Sequence, residues 1–139
     1  MIKPDSLRDM LNKSVDFVRK SPENLHVFIK DGKVISTLGP SLSFEYQYVM
    51  NILITDYSGD ANLLIVPILY WLRKNQPDIL TAESDGIRFE VDFLNHQQQD
   101  IDISLRLTER VIASMKDGAI FIQNIPEPPP PINDEWAMP

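Results

Sequence analysis

The first apolar residues of the chain follow a helical spacing. They recur at intervals of three, four and seven positions and are Leu7, Met10, Leu11, Phe17 and Val18. This spacing places them on one face of a helix. Pro22 disfavours helical geometry at Ser21, so the pattern predicts a first helix over residues 4–20.

Two β-patterns come next. The segment "LHVFIKDGKVIST" contains Asp31-Gly32, which favours the positive φ angles of a two-residue turn, and it predicts a hairpin. Residues 42–56 alternate between apolar and polar side chains, which predicts a strand with one buried face. At about 14 residues it exceeds the usual length of roughly 3–10, so we expect a bulge, a strong bend or a ribbon that extends beyond the core. Its apolar face comprises Leu42, Phe44, Tyr46, Tyr48, Met50, Ile52 and Ile54.

The stretch "LLIVPILYWLRKNQPD" returns to a helical spacing. Asp60 can cap this helix and Pro77 ends it, while Pro67 inside it predicts a kink. The apolar run is about half of the roughly 20 residues that a membrane span needs, so no membrane contact is predicted. Tyr70 and Trp71 are the candidates for a docking surface. The positions expected to pack against a sheet are Leu64, Ile65, Ile68, Leu69 and Leu72.

The remaining body predicts two or three further strands. The segments "GIRFEVDF" and "DIDISLRLTERV" each alternate, "NHQQQ" joins them as a hairpin loop, and "AIFIQNI" forms a last strand after "KDG". The sequence therefore predicts an α+β fold, with an antiparallel sheet of about five to six strands and two helices packed on one face. This single domain is expected to span residues 1–125.

The hairpin around "NHQQQ" allows two registers. A loop centred on Gln97 sets Asp92 opposite Asp102, where two like charges meet. A shift by two residues sets Asp92 opposite Ser104 and Glu90 opposite Arg106, which removes the repulsion. We expect the second register and a solvated acidic face.

The last 14 residues, 126–139, have a different composition from the body. Pro128 to Pro131 are consecutive and favour a stiff polyproline II rod without internal hydrogen bonds. This segment is predicted to be an extended C-terminal tail. It carries Trp136, a large apolar side chain that an isolated tail cannot easily bury.

Composition and charge exclude several function classes. The chain has 139 residues, 43% hydrophobic and 24% charged, as in an ordinary globular protein. The formal net charge of -7 opposes binding to a phosphate backbone, so sequence-specific nucleic-acid binding is not predicted. There are no cysteines, which excludes disulfides and thiolate chemistry and is consistent with a reducing cytoplasm. The polar N-terminus lacks the apolar region of a signal peptide.

No catalytic or cofactor site is predicted. His26 lies in a predicted strand and His96 in a polar loop, and neither belongs to a nucleophile motif. The five glycines are isolated, so there is no glycine-rich phosphate cradle. Acidic residues that a metal enzyme or hydrolase could use are better explained as strand ends, caps and a solvated face; they are Asp56, Asp60, Asp92 and Asp102.

Five ordered segments carry a resemblance to a known family. They are "SLSFEYQY", "ITDYSGD", "LLIVPILYWLRKNQPDI", "DISLRLTERV" and "PEPPPP". In this order the chain resembles the R family of phage tail completion proteins, from contractile-tailed temperate phages and related prophages. The resemblance implies a non-enzymatic structural protein, present in the host cytoplasm during assembly and then in the virion tail. It would act at the head-proximal end of the tail, capping tube and sheath and enabling head-tail joining.

The resemblance also implies partners. These are the tail tube and sheath proteins, the head-tail connector and other tail completion proteins. By analogy with tail terminators we expect a homo-oligomer in the form of a hexameric ring, with the 42–56 strand pairing between copies. The candidate interaction residues are Tyr46, Tyr48, Tyr70, Trp71, Pro128, Pro129, Pro130, Pro131 and Trp136. The alternative is a generic protein-binding module that uses the proline-rich tail as its ligand.

Overall fold

The computed structural model describes residues 1–36, 38–81 and 83–128. The helices are α1 (Lys3–Ser14), α2 (Asp16–Lys20) and α3 (Asn62–Asn75), with 3₁₀ turns at Pro22–Asn24 and Pro77–Leu80. The strands are β1 (Leu25–Ser36), β2 (Phe44–Tyr57), β3 (Ile87–Phe93), β4 (Gln99–Lys116) and β5 (Ala119–Ile125). The predicted α+β class, with a five-stranded antiparallel sheet, is confirmed.

The first helix is interrupted where one continuous helix was predicted. Val15 has an extended backbone (φ -117°, ψ 114°) and separates α1 from α2. Its side chain is buried in the core, and a β-branched residue loses side-chain freedom in a helix. The break therefore lets Val15 reach the core and still allows Val18 to be buried after it.

The sheet has β2 in its interior. The strand order is β1-β2-β4-β3, and β5 also pairs with β4. β3 pairs with Gln99–Leu105 of β4, and β5 pairs with Arg110–Lys116 on the same edge. Because both edges of β2 are occupied by β1 and β4, the expectation that the 42–56 strand pairs between copies is wrong.

The predicted hairpin at Asp31-Gly32 is also wrong. A two-residue turn of that type needs positive φ at both residues, and here only Asp31 has it, at 52°. β1 runs on through the dipeptide, and Asp31 and Gly32 together face Tyr48 as a β-bulge. At another Asp-Gly pair, Asp117 and Gly118 both have positive φ, 53° and 79°, and they form the turn between β4 and β5.

The long second strand has a bulge, which is one of the three features expected of it. The register of β2 with β4 shifts between Ile54 and Tyr57, where Asp56 has a φ of 54°. The backbone N–H of Asp56 donates to Asp100 Oδ1 at 2.9 Å. The bulge removes this N–H from the hydrogen-bond ladder between β2 and β4, and the bond to Asp100 satisfies it.

The core lies between the sheet and the helices. Alternate residues of β2 and β4 supply the sheet side, and α1 and α3 cover it. Two helices on one face of the sheet are therefore confirmed. The fully buried members include Leu7, Leu11, Met50, Ile52, Ile54, Leu64, Ile68, Leu72, Ile103, Leu105 and Leu107.

Helix α3 is rotated slightly from the predicted orientation. Leu64, Ile68 and Leu72 are buried as predicted, but Leu69 is exposed and Trp71 takes its place in the core. The four buried residues are separated by four, three and one positions along the chain, so they lie on one face of the helix. The helix continues through Pro67, and the kink there stays a prediction.

Neither predicted register of the β3–β4 hairpin is correct. Asp92 faces Asp100 and Glu90 faces Asp102. The loop sets this register, because the side chain of Asn95 accepts hydrogen bonds from the backbone N–H groups of residues 97 and 98. The facing carboxylates are tolerated for two reasons. Asp92 and Glu90 are exposed to solvent. Asp102 accepts a hydrogen bond from a side-chain amide, and Asp100 accepts one from a backbone N–H.

The division into a body of residues 1–125 and a tail of residues 126–139 stays a prediction. Residues 129–139 lie outside the described residues. Glu127, at the start of the predicted tail, accepts a hydrogen bond from Lys3 Nζ at 3.1 Å. Within the described ranges, no helix is both long and apolar enough to cross a membrane.

Candidate interaction surface

Two of the predicted interaction residues belong to the core. Tyr48 and Trp71 are each only 4% exposed. Trp71 Nε1 donates to Ser6 Oγ at 3.0 Å, and the Tyr48 hydroxyl donates to Glu109. Their burial corrects the expectation that they contact a partner, since their polar atoms bond within the chain.

Three further candidates keep at least part of their surface, and their role stays a prediction. Tyr46 is half-buried beside the core, with its ring edge-on to Phe44 at 5.0 Å. Tyr70 is 44% exposed, and Lys74 Nζ lies 4.6 Å from its ring centroid. Pro128 is exposed. The remaining candidates lie outside the described residues and are Pro129, Pro130, Pro131 and Trp136.

The outer face of α3 is one exposed apolar surface. Leu63, Val66 and Tyr70 follow one another at intervals of three and four residues and are all exposed. Leu69 extends the same surface. Of these residues, only Tyr70 was predicted from the sequence to lie on a docking surface. Leu69 was predicted to be in the core, and Leu63 and Val66 were not assigned.

A second apolar surface lies on the β4–β5 ribbon, which we define as residues 110–125. It projects past β2, whose pairing with β4 ends at Val111. Its exposed apolar side chains are Ile112, Met115, Ile120, Phe121 and Ile122. Sequence reasoning predicted the strand but missed its exposure. The available signal was three consecutive apolar residues, Ile120 to Ile122, where a strand with one solvated face would alternate.

A buried polar cluster fills the gap on β4 between β3 and β5. Gln76 Oε1 accepts hydrogen bonds from Lys3 Nζ at 2.7 Å and from the backbone N–H of Thr108 at 3.0 Å. Gln76 Nε2 donates to Asp78 Oδ1 at 2.7 Å and to Thr108 Oγ1 at 3.2 Å. The glutamine side chain thus replaces a strand at this point of the sheet, and it bonds with the full capacity of a primary amide.

Glu109 forms a second buried polar contact. Its Oε1 accepts from the backbone N–H of Ile2 at 2.7 Å, and its Oε2 accepts from the Tyr48 hydroxyl. Burial, this hydrogen bond and the charge of Glu109 all raise the pKa of the Tyr48 phenol above its ordinary value of 10.0. The contact joins the N-terminus of α1 to the middle of the sheet.

We expect the protein to lose stability at alkaline pH through Tyr48. The pKa of Tyr48 in the folded chain is raised above the unfolded value of 10.0. Its contribution to the free energy of unfolding is therefore complete below pH 10.0 and is lost progressively above it. Tyr48→Phe should lower the free energy of unfolding by about 1–3 kcal/mol near neutral pH, because a buried oxygen of Glu109 loses its donor. Above pH about 10, the difference between wild type and variant should shrink.

Urea unfolding measured between pH about 8 and about 11 checks this expectation. Tyr70→Phe is the matched control, because it removes a hydroxyl group from an exposed tyrosine. A difference between wild type and Tyr48→Phe that is constant over this range would contradict the role assigned to the Tyr48 pKa.

The sequence offered two histidines and four aspartates as candidates for a site of another kind. Among the described residues, no group of three or more His, Cys, Asp or Glu side chains is placed to hold a metal ion. His26 is exposed on β1 and His96 in the β3–β4 loop. Asp60 accepts a hydrogen bond from the backbone N–H of Asn62 at 2.9 Å at the start of α3, but the N-cap position is taken by Ala61 and not, as predicted, by Asp60.

Comparison with known proteins gives a consistent result over nearly the whole chain. The family model for P2 phage tail completion protein R (GpR) matches residues 1–128. Tail completion protein R of Escherichia phage P2 is 49% identical over 134 residues, which cover 94% of this chain and 86% of the relative. No solved structure matches.

Proposed function

The chain belongs to the family of P2 phage tail completion protein R, whose function is to complete the phage tail, and from this we propose where and how it acts. It acts at the head-proximal end of the tail, where it caps tube and sheath and prepares the tail to join a filled head. Its role there is structural and involves no reaction.

One observation carries the proposal. Identity of 49% spans 94% of the chain, so the relationship includes the helices, the sheet and the surfaces between them. Family membership of this extent supports a component of the virion tail that contacts other tail components. A structural family also supports a protein without catalytic activity.

The specific partners are part of the proposal. They are the tail tube and sheath proteins, the head-tail connector and other tail completion proteins, which the chain meets in the host cytoplasm during assembly. The exposed apolar surfaces on α3 and on the β4–β5 ribbon support such contacts, because large exposed patches mark protein interaction sites.

The active form is a homo-oligomeric ring, hexameric by analogy with tail terminators. Head-to-tail contacts between copies generate a ring when the rotation closes. The net charge of -7 suits a ring around passing DNA, because few cations are present to displace the counterions of the duplex.

Deletion of the gene from its phage or prophage tests the proposal. The lysate should contain filled heads and full-length tails that do not join, and the titre of infectious particles should fall by several orders of magnitude. Supplying the intact chain from a plasmid should restore joined particles, which controls for effects on neighbouring genes. Infectious particles at the normal titre without the chain would contradict the proposal.

A further inference from the structure

We propose that β5 of one copy pairs with β1 of the next copy in antiparallel orientation, so that the sheets of neighbouring copies join around the ring. The inference rests on the proposed ring and identifies the surfaces that build it. It replaces the expectation that the 42–56 strand pairs between copies, because both edges of that strand are already paired within the chain.

The outer strands of the sheet differ in how they are protected from pairing. Natural edge strands avoid unwanted pairing with charges and bulges. β3 carries charges along its length, at Arg88, Glu90 and Asp92. β1 has the bulge at Asp31-Gly32, but the four residues after it pair regularly with β2. β5 contains no charged residue and no bulge in its ladder with β4, so it is the edge most open to another strand.

β5 also exposes apolar side chains on both faces. Ile120 and Ile122 are 70% and 65% exposed and share the face of the sheet on which the helices pack elsewhere. Phe121 points to the opposite face and is more than half exposed. An edge strand that is apolar on both faces favours association, and burying it against a neighbour removes this surface from water.

The sheet topology provides a matching edge on a second copy. At one end of the sheet, Ser36, Phe44, Val111 and Asn124 are paired in sequence across β1, β2, β4 and β5. β1 and β5 are therefore the two outer strands of a four-stranded section. The four strands alternate in direction, so a copy rotated about a ring axis places its β1 antiparallel to β5. A sliding offset between the two strands is the stagger that a closed sheet requires.

Apolar surface and charge both favour a second copy as the occupant. Val34 and Ile35, in the part of β1 that follows the bulge, are exposed and can pack against the side chains of β5. Two copies that each carry a net charge of -7 repel one another. This contact avoids opposing acidic residues, because β5 is uncharged and β1 carries Lys30 and Lys33 against a single Asp31.

Charge substitutions on the two strands test the contact. Ile122→Lys and Val34→Glu should each weaken assembly at least tenfold, because each places an unpaired charge in an apolar contact. An equimolar mixture of the two variants should assemble again. Alternating copies then oppose Lys on β5 to Glu on β1, and the remaining contacts are of wild-type sequence. Phe89→Lys on β3 is the matched control, since Phe89 is 67% exposed on an outer strand.

Light scattering over a range of concentrations gives the mass of each species, and circular dichroism confirms that each variant is folded. Wild-type assembly by Ile122→Lys or by Val34→Glu overturns the proposed contact but leaves the ring intact. A third outcome is that only Ile122→Lys fails to assemble and the mixture is not rescued. This result would indicate a two-fold contact between β5 strands and would also overturn the proposed contact between β5 and β1. A wild-type chain that stays monomeric, both alone and with purified tails, overturns the ring as well.

Discussion

Replacing Gln76 with alanine is expected to lower the free energy of unfolding by about 3–5 kcal/mol. Gln76 is 1% exposed and bonds through both atoms of its amide. Its removal leaves the backbone N–H of Thr108 without its acceptor, whereas the oxygen of Asp78, an exposed residue, can bond to water instead. It also deprives the ammonium group of Lys3, itself buried, of one of its acceptors. Each buried group left unpaired costs about 1–3 kcal/mol.

Thermal and urea unfolding measure this loss, and the melting temperature should fall by about 10–15 °C. Gln97→Ala, in the exposed β3–β4 loop, is the matched control and should change the free energy of unfolding by less than about 0.5 kcal/mol. Gln76→Glu keeps an oxygen for Lys3 but removes the donor to Asp78, so it should fall between the control and the alanine variant. A loss below about 1 kcal/mol in Gln76→Ala would show that the cluster is not important for stability.

Trp71→Ala should destabilise the protein by about 3–5 kcal/mol, as expected for a large buried aromatic side chain. The neighbouring Tyr70→Ala should cost less than about 1 kcal/mol, because that ring is on the outer face of α3. The two substitutions, at adjacent positions of one helix, thus distinguish a core residue from a surface residue.

Chemical unfolding of the two variants in the same buffer makes the comparison. Ser6→Ala removes the acceptor of the Trp71 indole without leaving a large cavity, and should cost about 0.5–1.5 kcal/mol. Similar losses in Trp71→Ala and Tyr70→Ala would contradict the orientation of α3 described here.

Alternation along the chain was sufficient to predict the centre of the fold. Met50 and Ile52 on β2 were assigned to a buried face and are buried, as are Ile101 and Ile103 on β4, whose segment was predicted to alternate. Period-two alternation is a strong signal when one face packs on helices and the other does not. Leu64 and Ile68 followed in the same way from the helical period.

Two of the three Asp-Gly pairs show where local sequence becomes insufficient. Asp117-Gly118 makes a turn, whereas Asp31-Gly32 is a bulge inside a continuous strand. The dipeptides have the same local preferences, and the difference comes from β2, which continues beside β1 on both sides of the bulge. Pairing between distant segments therefore overrode the turn preference.

The interaction surface was harder to predict than the core. Tyr48 and Trp71 are aromatic residues that also occur at interfaces, and only the positions of Glu109 and Ser6 show that their polar atoms are satisfied within the chain. The exposure of Phe121 and Ile122 depends on the absence of a covering helix among the described residues. A strand's own sequence does not contain that information.

The position of β4 in the sheet has a consequence for how the chain folds. Its hairpins with β3 and β5 close short loops, but its pairing with β2 joins residues as distant in sequence as Phe44 and Val111. Loop-closure entropy makes such distant pairing slow. Until β2 docks, the newly made chain exposes a long unpaired edge of β4. A high concentration of newly made chain would therefore favour misassociation between chains.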